Sequence, residues 1–157
     1  MKRLGTATVF LALAALVLMT AVSCVLDVDL DRLKGSALCG KWQSDIEYSG
    51  TSDAIYDYGT QVTLDISQSG DAKMTIGNFL KPRVGSEWSE NLSKAPTSTS
   101  YSVWVYPQGS EKTVGEIEFT DPRSNKTIMT LKYSLSADGN TLVLSDNGYT
   151  QRIYKRI

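Results

Sequence analysis

From Gly40 to the C-terminus, apolar and polar residues alternate with a period of two. Val62, Leu64 and Ile66 fall on one face of a segment whose other face carries Thr63, Asp65 and Ser67. Met129, Leu131, Tyr133 and Leu135 oppose Ile128, Thr130, Lys132 and Ser134 in the same way. Successive side chains of a strand point to opposite sides, so this pattern marks antiparallel strands with one buried and one solvated face. It predicts eight strands, over 40–48, 60–68, 72–80, 99–106, 112–119, 126–135, 140–145 and 148–156. Short turn signals separate most of them: Ser69-Gly70-Asp71, Gln108-Gly109-Ser110, Asp138-Gly139-Asn140 and Asp146-Asn147-Gly148. Asp-Gly and Asn-Gly suit hairpins because Gly and Asn tolerate positive φ. Two connections are longer, 49–59 and 81–98, and loops of that length in a compact domain are expected to be functional or disordered.

Tight turns between successive strands make sequence neighbours into spatial neighbours. Eight strands in that order must bury one face and protect two edges, and closing into a barrel does both. The expected fold is therefore all-β, an eight-stranded antiparallel up-and-down barrel. Eight strands enclose a space that side chains fill, or that holds one small ligand. Ahead of the barrel, residues 25–38 read as a tether. Asp27, Asp29 and Asp31 alternate with Val28 and Leu30, and Leu26, Leu30 and Leu33 are spaced for one or two helical turns.

The first 24 residues have a different pattern. Lys2 and Arg3 precede an apolar run over 9–19, and Ala21-Val22-Ser23 leads into Cys24. A basic start, an apolar run of about 7–15 residues and a small-residue cleavage site describe an export signal too short to span a bilayer. Ala21-Val22-Ser23-Cys24 resembles the bacterial lipobox, which implies that Cys24 becomes the lipidated first residue of the mature chain. The expected organisation is then a signal peptide over 1–23, lipidated cysteine and tether over 24–38, and the barrel domain over 39–157. An alternative stays open at this point: ordinary cleavage after Ser23 leaves Cys24 free to form a disulfide with Cys39, as an oxidising compartment permits.

Composition narrows the chemistry. Of the 157 residues, 134 remain after cleavage, enough for one domain with one core. The leader carries Lys2 and Arg3 and no acid, so 14 of the 16 basic residues face 17 acidic ones, a formal charge of −3. No basic block is present, which argues against nucleic acid as a partner. The chain has no histidine, which excludes His-based triads and His-containing metal sites. Glu116 and Glu118 share a strand face, but Gly115, Ile117 and Phe119 form the apolar side, so the glutamates are read as solvated. No calcium-loop spacing occurs. The expectation is a non-enzyme without cofactor or metal.

Gly40-Lys41-Trp42 places Gly-x-Trp at the start of the first strand. This resembles the lipocalin and wider calycin families, and most closely the short lipocalin-like lipoproteins of bacteria. The resemblance implies that Trp42 closes one end of the barrel and that an arginine of the last strand packs across it. Arg152 and Arg156 are the two candidates. Arg152 is expected, because Arg156 lies near the fraying chain end. Guanidinium on an indole face is a favourable pairing.

Aromatic residues outside that core are the candidate contacts. Tyr56 and Tyr58 fall in the first long connection and Trp88 in the second, where no core pattern demands them, and loop aromatics commonly anchor ligands or partners. Alternate connections of an up-and-down barrel emerge at one end, so these three are expected around its mouth. Trp104, in a strand bulky on both faces, is a further candidate. The expected function is an envelope lipoprotein, attached to the membrane through its lipid, whose barrel binds a small hydrophobic ligand. The alternative is a filled barrel that binds an envelope protein, as a protease inhibitor or scaffold. Val25 after the cysteine implies, by the same resemblance, the outer membrane, facing periplasm or surface.

Overall fold

A computed structural model describes residues 33, 36–51, 55–85, 87–146 and 150–157. Cys24, and with it the leader and most of the tether, lies outside them. Among the described residues the chain forms ten strands and no helix: β1 Gly40–Ser44, β2 Glu47–Thr51, β3 Tyr56–Ile66, β4 Asp71–Pro82, β5 Ser89–Glu90, β6 Thr97–Gln108, β7 Val114–Thr120, β8 Thr127–Leu135, β9 Thr141–Asp146 and β10 Thr150–Arg156.

Eight of these close a ring. Every pairing is antiparallel, running β1, β3, β4, β6, β7, β8, β9, β10 and back to β1. The up-and-down barrel expected from the alternation is therefore the fold. The two remaining strands are fragments. The first expected strand breaks at Asp45 and Ile46 into β1 and β2, and β2 pairs only with β3, through a bulge between Tyr48 and Gly50. The short β5 pairs with Phe79 and Leu80 of β4 before β6 takes over along the same edge.

The two long connections are shorter than the pattern implied. Residues 56–59 extend β3, and Tyr56 and Tyr58 sit directly across from Pro82 and Leu80 of β4. Polar and aromatic composition masked this strand, because only part of its inner face lies in the core. The second connection is tied down by β5 and by a turn at Asn91. There the Ser93 amide and hydroxyl both donate to Asn91 Oδ1, and the Asn91 amide donates to the Asn78 carbonyl.

The core follows the alternation. Trp42, Leu64, Val103, Ile117, Phe119 and Leu142 are fully enclosed by the ring, with Val62, Ile66, Leu144 and Tyr154 beside them. Leu33 and Leu38, read from sequence as tether, belong to this core at 5% and 1% exposure. The barrel domain therefore begins before Cys39. Leu33 is fixed by its amide, which donates to the Gln68 carbonyl after β3.

Candidate functional site

At one end the barrel is shut by a clasp around Trp42. The indole is fully buried, and its Nε1–H donates to the Leu38 carbonyl at 2.8 Å. The Arg156 guanidinium lies over the ring, 4.2 Å from its centroid. Arg156 also donates to three carbonyls: Cys39 at 2.9 Å, Ala37 at 2.6 Å and Gly139 at 3.0 Å. One side chain thus joins the residues entering β1, the β8–β9 turn and the plug. Gly40 is required twice over. Its φ is +128°, and a Cβ there would stand 2.6 Å from Arg156 Nη1. Cys39, a free thiol, donates to the Leu33 carbonyl, and burial raises its pKa more than the nearby Arg156 charge lowers it.

The expectation of Arg152 on Trp42 is corrected here. The register pairs Trp42 with Arg156. Antiparallel strands bring the start of one beside the end of the other, so a tryptophan early in β1 meets the last arginine of β10. Arg152 instead forms a two-pronged ion pair with Glu47, Nε to Oε1 at 3.0 Å and Nη2 to Oε2 at 2.6 Å. The backbone pairing of β1 with β10 stops at Ser44 and Tyr154. Beyond it β2 follows β3 alone, and the Arg152–Glu47 pair spans the seam between β2 and β10. Tyr154 lies beside Arg152 with its pKa raised, burial outweighing the guanidinium that lowers it.

The opposite end is open. Register carries the inward face upward from the core: Met74 lies across from Leu64, Ile76 from Val62, Met129 from Phe119 and Leu131 from Ile117. Met74, Tyr101, Met129 and Leu131 are only partly buried where they pack on the core, and Ile76 is 38% exposed. Tyr101 meets Phe119 edge to face, with centroids 5.6 Å apart, and forms the floor. These residues form one partly covered apolar stretch of the inward face, the cup, which Arg152 and Glu47 share by strand parity.

The aromatic candidates divide around this cup. Tyr58 and Tyr56 continue the inward parity of Val62 and Leu64 above it, Tyr58 half-buried and Tyr56 38% exposed. Trp88 is on the other face: a Cβ at Gly59 would meet its ring carbons at 2.8 and 2.9 Å and Ile46 Cγ2 at 2.6 Å. Lys81 Nζ lies 5.2 Å from the Trp88 ring centroid. The three aromatics thus lie at the same end of the barrel, the tyrosines and Trp88 on opposite faces of β3. Trp104 is also outside the ring. It pairs with Glu118, alternates with the buried Val103, and is 40% exposed. The neighbouring outward Tyr106 donates its hydroxyl to Glu118 Oε2 at 3.2 Å, and its pKa is raised by desolvation and by that carboxylate.

The sequence offered Arg156 as a candidate but favoured Arg152, and it did not single out Leu33, Leu38 or the cup residues Met74, Ile76, Met129 and Leu131 as a group. Antiparallel register was the available signal for the first; period-two parity was the signal for the cup. Among the described residues no cluster of three or more Cys, Asp or Glu is placed to hold a metal ion, and no helix is long and apolar enough to cross a membrane. Compared with protein families, characterised proteins and solved structures, the chain finds no match.

Proposed function

We propose that this protein is a bacterial envelope lipoprotein, held at the outer membrane through an acylated Cys24, whose lipocalin-like barrel binds a small apolar ligand in the cup opposite Trp42. It acts by binding and carries out no chemistry of its own. One observation carries the reading: a single inward face passes from full burial at Trp42, Leu64 and Phe119 to half-exposed apolar side chains at Met74, Ile76, Met129 and Leu131. A ligand seated there removes the remaining apolar surface from water, at about 25 cal/mol per Å². The Arg152–Glu47 ion pair falls on the same inward face by strand parity, so it offers a polar contact beside the apolar side chains.

The test is titration of the full chain with an environment-sensitive naphthalene dye, comparing wild type with Ile76→Asp and Met74→Glu. One equivalent should bind wild type, and each variant should bind at least tenfold more weakly. A wild-type protein that leaves the dye's emission unchanged removes the ligand. The anchor is tested separately by the intact mass of protein extracted from membranes, where Cys24→Ser should lose the acyl increment.

A second reading has its own support. Trp104 and Tyr106 stand exposed on the outer face. On that reading the barrel is a scaffold or inhibitor presenting a surface to an envelope protein. Loss of a partner on Trp104→Ala, with dye binding intact, would favour it.

A further inference from the structure

The ring is closed over only part of its height. β10 pairs with β9 from Thr150 to Lys155, but with β1 only from Tyr154 to Arg156. Residues 150–153 therefore have a strand on one side alone. β2 pairs with β3 and with no other strand among the described residues. Both β1 and β2 are antiparallel to β3, so β2 continues the direction of β1 and runs antiparallel to β10. The seam is thus a gap between two strand edges, bridged by the Arg152–Glu47 ion pair.

The connection between β1 and β2 builds this gap. At Ser44 side chains take over from main-chain partners. The Val62 amide donates to Ser44 Oγ at 3.0 Å, and Gln61 Nε2 donates to the Ser44 carbonyl at 2.9 Å. Ile46 then lies against the outer face of β3, where a Cβ at Gly59 would meet Ile46 Cγ2 at 2.6 Å and the Trp88 ring at 2.8 Å. A chain pinned there is drawn away from β10.

Main-chain groups point into the gap from both edges. The Arg156 amide donates to the Asn140 carbonyl, and the Ile157 amide donates to the Lys41 carbonyl of β1. Amides along a strand alternate sides, so counting back in twos turns Ile153 and Gln151 towards the seam. On the other edge, the Val62 amide faces β1, so that of Thr60 faces β2. Glu47 lies directly across from Thr60 and turns its main chain to β3, which leaves Tyr48 turned into the seam. The side chains follow the same parity. Glu47 and Arg152 cross the inner side of the gap, while Tyr48 and Ile153 flank it on the outer face, 61% and 53% exposed.

We infer that the seam binds an extended segment of a partner protein, apolar at alternate positions, as an added strand. Two edges that face each other select a lone strand. It hydrogen-bonds on both sides, parallel to one edge and antiparallel to the other, whereas a second folded barrel meets only one edge. Outward apolar side chains of the segment cover Tyr48 and Ile153, and small or polar inward ones lie over the Arg152–Glu47 pair. In strand addition the main chain supplies affinity and alternate side chains supply specificity. The inward charges also guard the seam against indiscriminate pairing, as at other exposed sheet edges. The inference does not rest on a ligand in the cup, although both sites border the same ion pair.

The experiment is fluorescence anisotropy of the full chain with a labelled peptide of alternating serine and valine carrying a lysine at each end. A second peptide has the same sequence with N-methyl groups on alternate residues, which removes its amide donors towards one edge. Wild type should bind one equivalent of the first peptide and hold the second about tenfold more weakly, each lost hydrogen bond weakening binding roughly two- to tenfold. Ile153→Pro and Tyr48→Pro each remove one amide that faces the seam and spare the donors towards β9 and β3, positions where an edge strand tolerates proline. Each should weaken the first peptide about fivefold. Ile128→Ala, at an exposed position on β8, should leave binding unchanged. Either proline variant with a wild-type melting temperature serves, and the peptide pair tests the seam in the unaltered protein. Bound peptide should slow amide exchange in β2 and β10 and leave β8 as it was. No binding of the first peptide, equal affinity for both peptides, or unchanged exchange in β2 and β10 overturns the inference. Binding lost in Trp104→Ala but kept in both proline variants also overturns it, and moves the partner to the outer face of β6.

Discussion

At the Trp42 end, a buried indole, a stacked guanidinium with three carbonyl partners and a glycine without room for a Cβ interlock in one small volume. At the opposite end the same inward faces carry Met74, Ile76, Met129 and Leu131 only partly covered, and the seam between β2 and β10 is spanned by one ion pair. The difference lies in how many partners each side chain has lost water to meet. Close packing is intolerant of change because neighbours relax only partly around a void. A half-open apolar face loses little when trimmed and gains when something covers it. Rigidity at one end and incomplete burial at the other are thus two outcomes of a single strand pattern.

The sharpest way to break this contrast is to truncate one residue at each end. Trp42→Ala should cost about 3–5 kcal/mol of unfolding free energy, the range for deleting a large aromatic from a packed core. Ile76→Ala should cost under about 1 kcal/mol, since its side chain is already partly in water. Urea denaturation of the two variants measures both. Equal losses would mean that the far end is as tightly packed as the clasp.

A second test resolves the clasp itself. Gly40→Ala places a methyl against Arg156 Nη1 at a backbone angle that favours glycine, and should cost about 1–3 kcal/mol. Arg156→Ala removes the stack and the three hydrogen bonds. The double variant should lose less than the sum of the two, because the clash needs both groups present. Strict additivity would show that the strain at Gly40 is purely one of backbone conformation.

The same contrast explains what could be read in advance. The alternation of Val62, Leu64 and Ile66 is enforced by the core, so the strands, their turns and the closed barrel were legible. Gly40 and Trp42 were legible as a pair because their spacing is short. The arginine partner was misassigned, because fraying was weighed above register, and Arg156 is held against fraying by the contacts that make it the partner. Tyr56 and Tyr58 were placed in a loop because that part of β3 has no fully buried face to impose a pattern. Trp88 was placed at a rim, yet nothing in its neighbourhood encodes that Gly59 would leave space for an indole on the outer side. Local alternation records burial, and it is silent where burial is incomplete.

A smaller effect is expected at the seam. The Arg152 and Glu47 side chains are 34% and 46% exposed, so their ion pair is substantially screened. Arg152→Ala should change global stability by under about 1 kcal/mol. Its signature should be local: amide hydrogens of β2, which has backbone pairing on one side only, should exchange faster while those of β8 and β9 do not. Unchanged exchange in β2 would show that its pairing with β3 alone holds that strand in place.

The smallest effect tests the two ends through a matched pair of turns. Asp121 begins the β7–β8 turn at the open end, and its pKa is lowered chiefly by the Arg123 amide donating to it. Asp138 lies in the β8–β9 turn at the shut end, lowered chiefly by the Ser136 hydroxyl and then by Asn140. Both carboxylates are more acidic folded than unfolded, where the value is near 3.8. Their stabilisation is therefore fully present above that value and lost as pH falls below it through the folded pKa. Asp121→Asn and Asp138→Asn should each flatten the acid limb of stability against pH by a small amount. They should differ in where the loss is felt. Gly139, beside Asp138, supplies one of the carbonyls that Arg156 grips, so loosening that turn should shift the emission of the buried Trp42 as the acid transition begins. Loosening the Asp121 turn, which touches no part of the clasp, should leave that emission constant until the whole barrel unfolds. An emission shift in both variants would mean that the two ends respond together and that the clasp is not an independent unit.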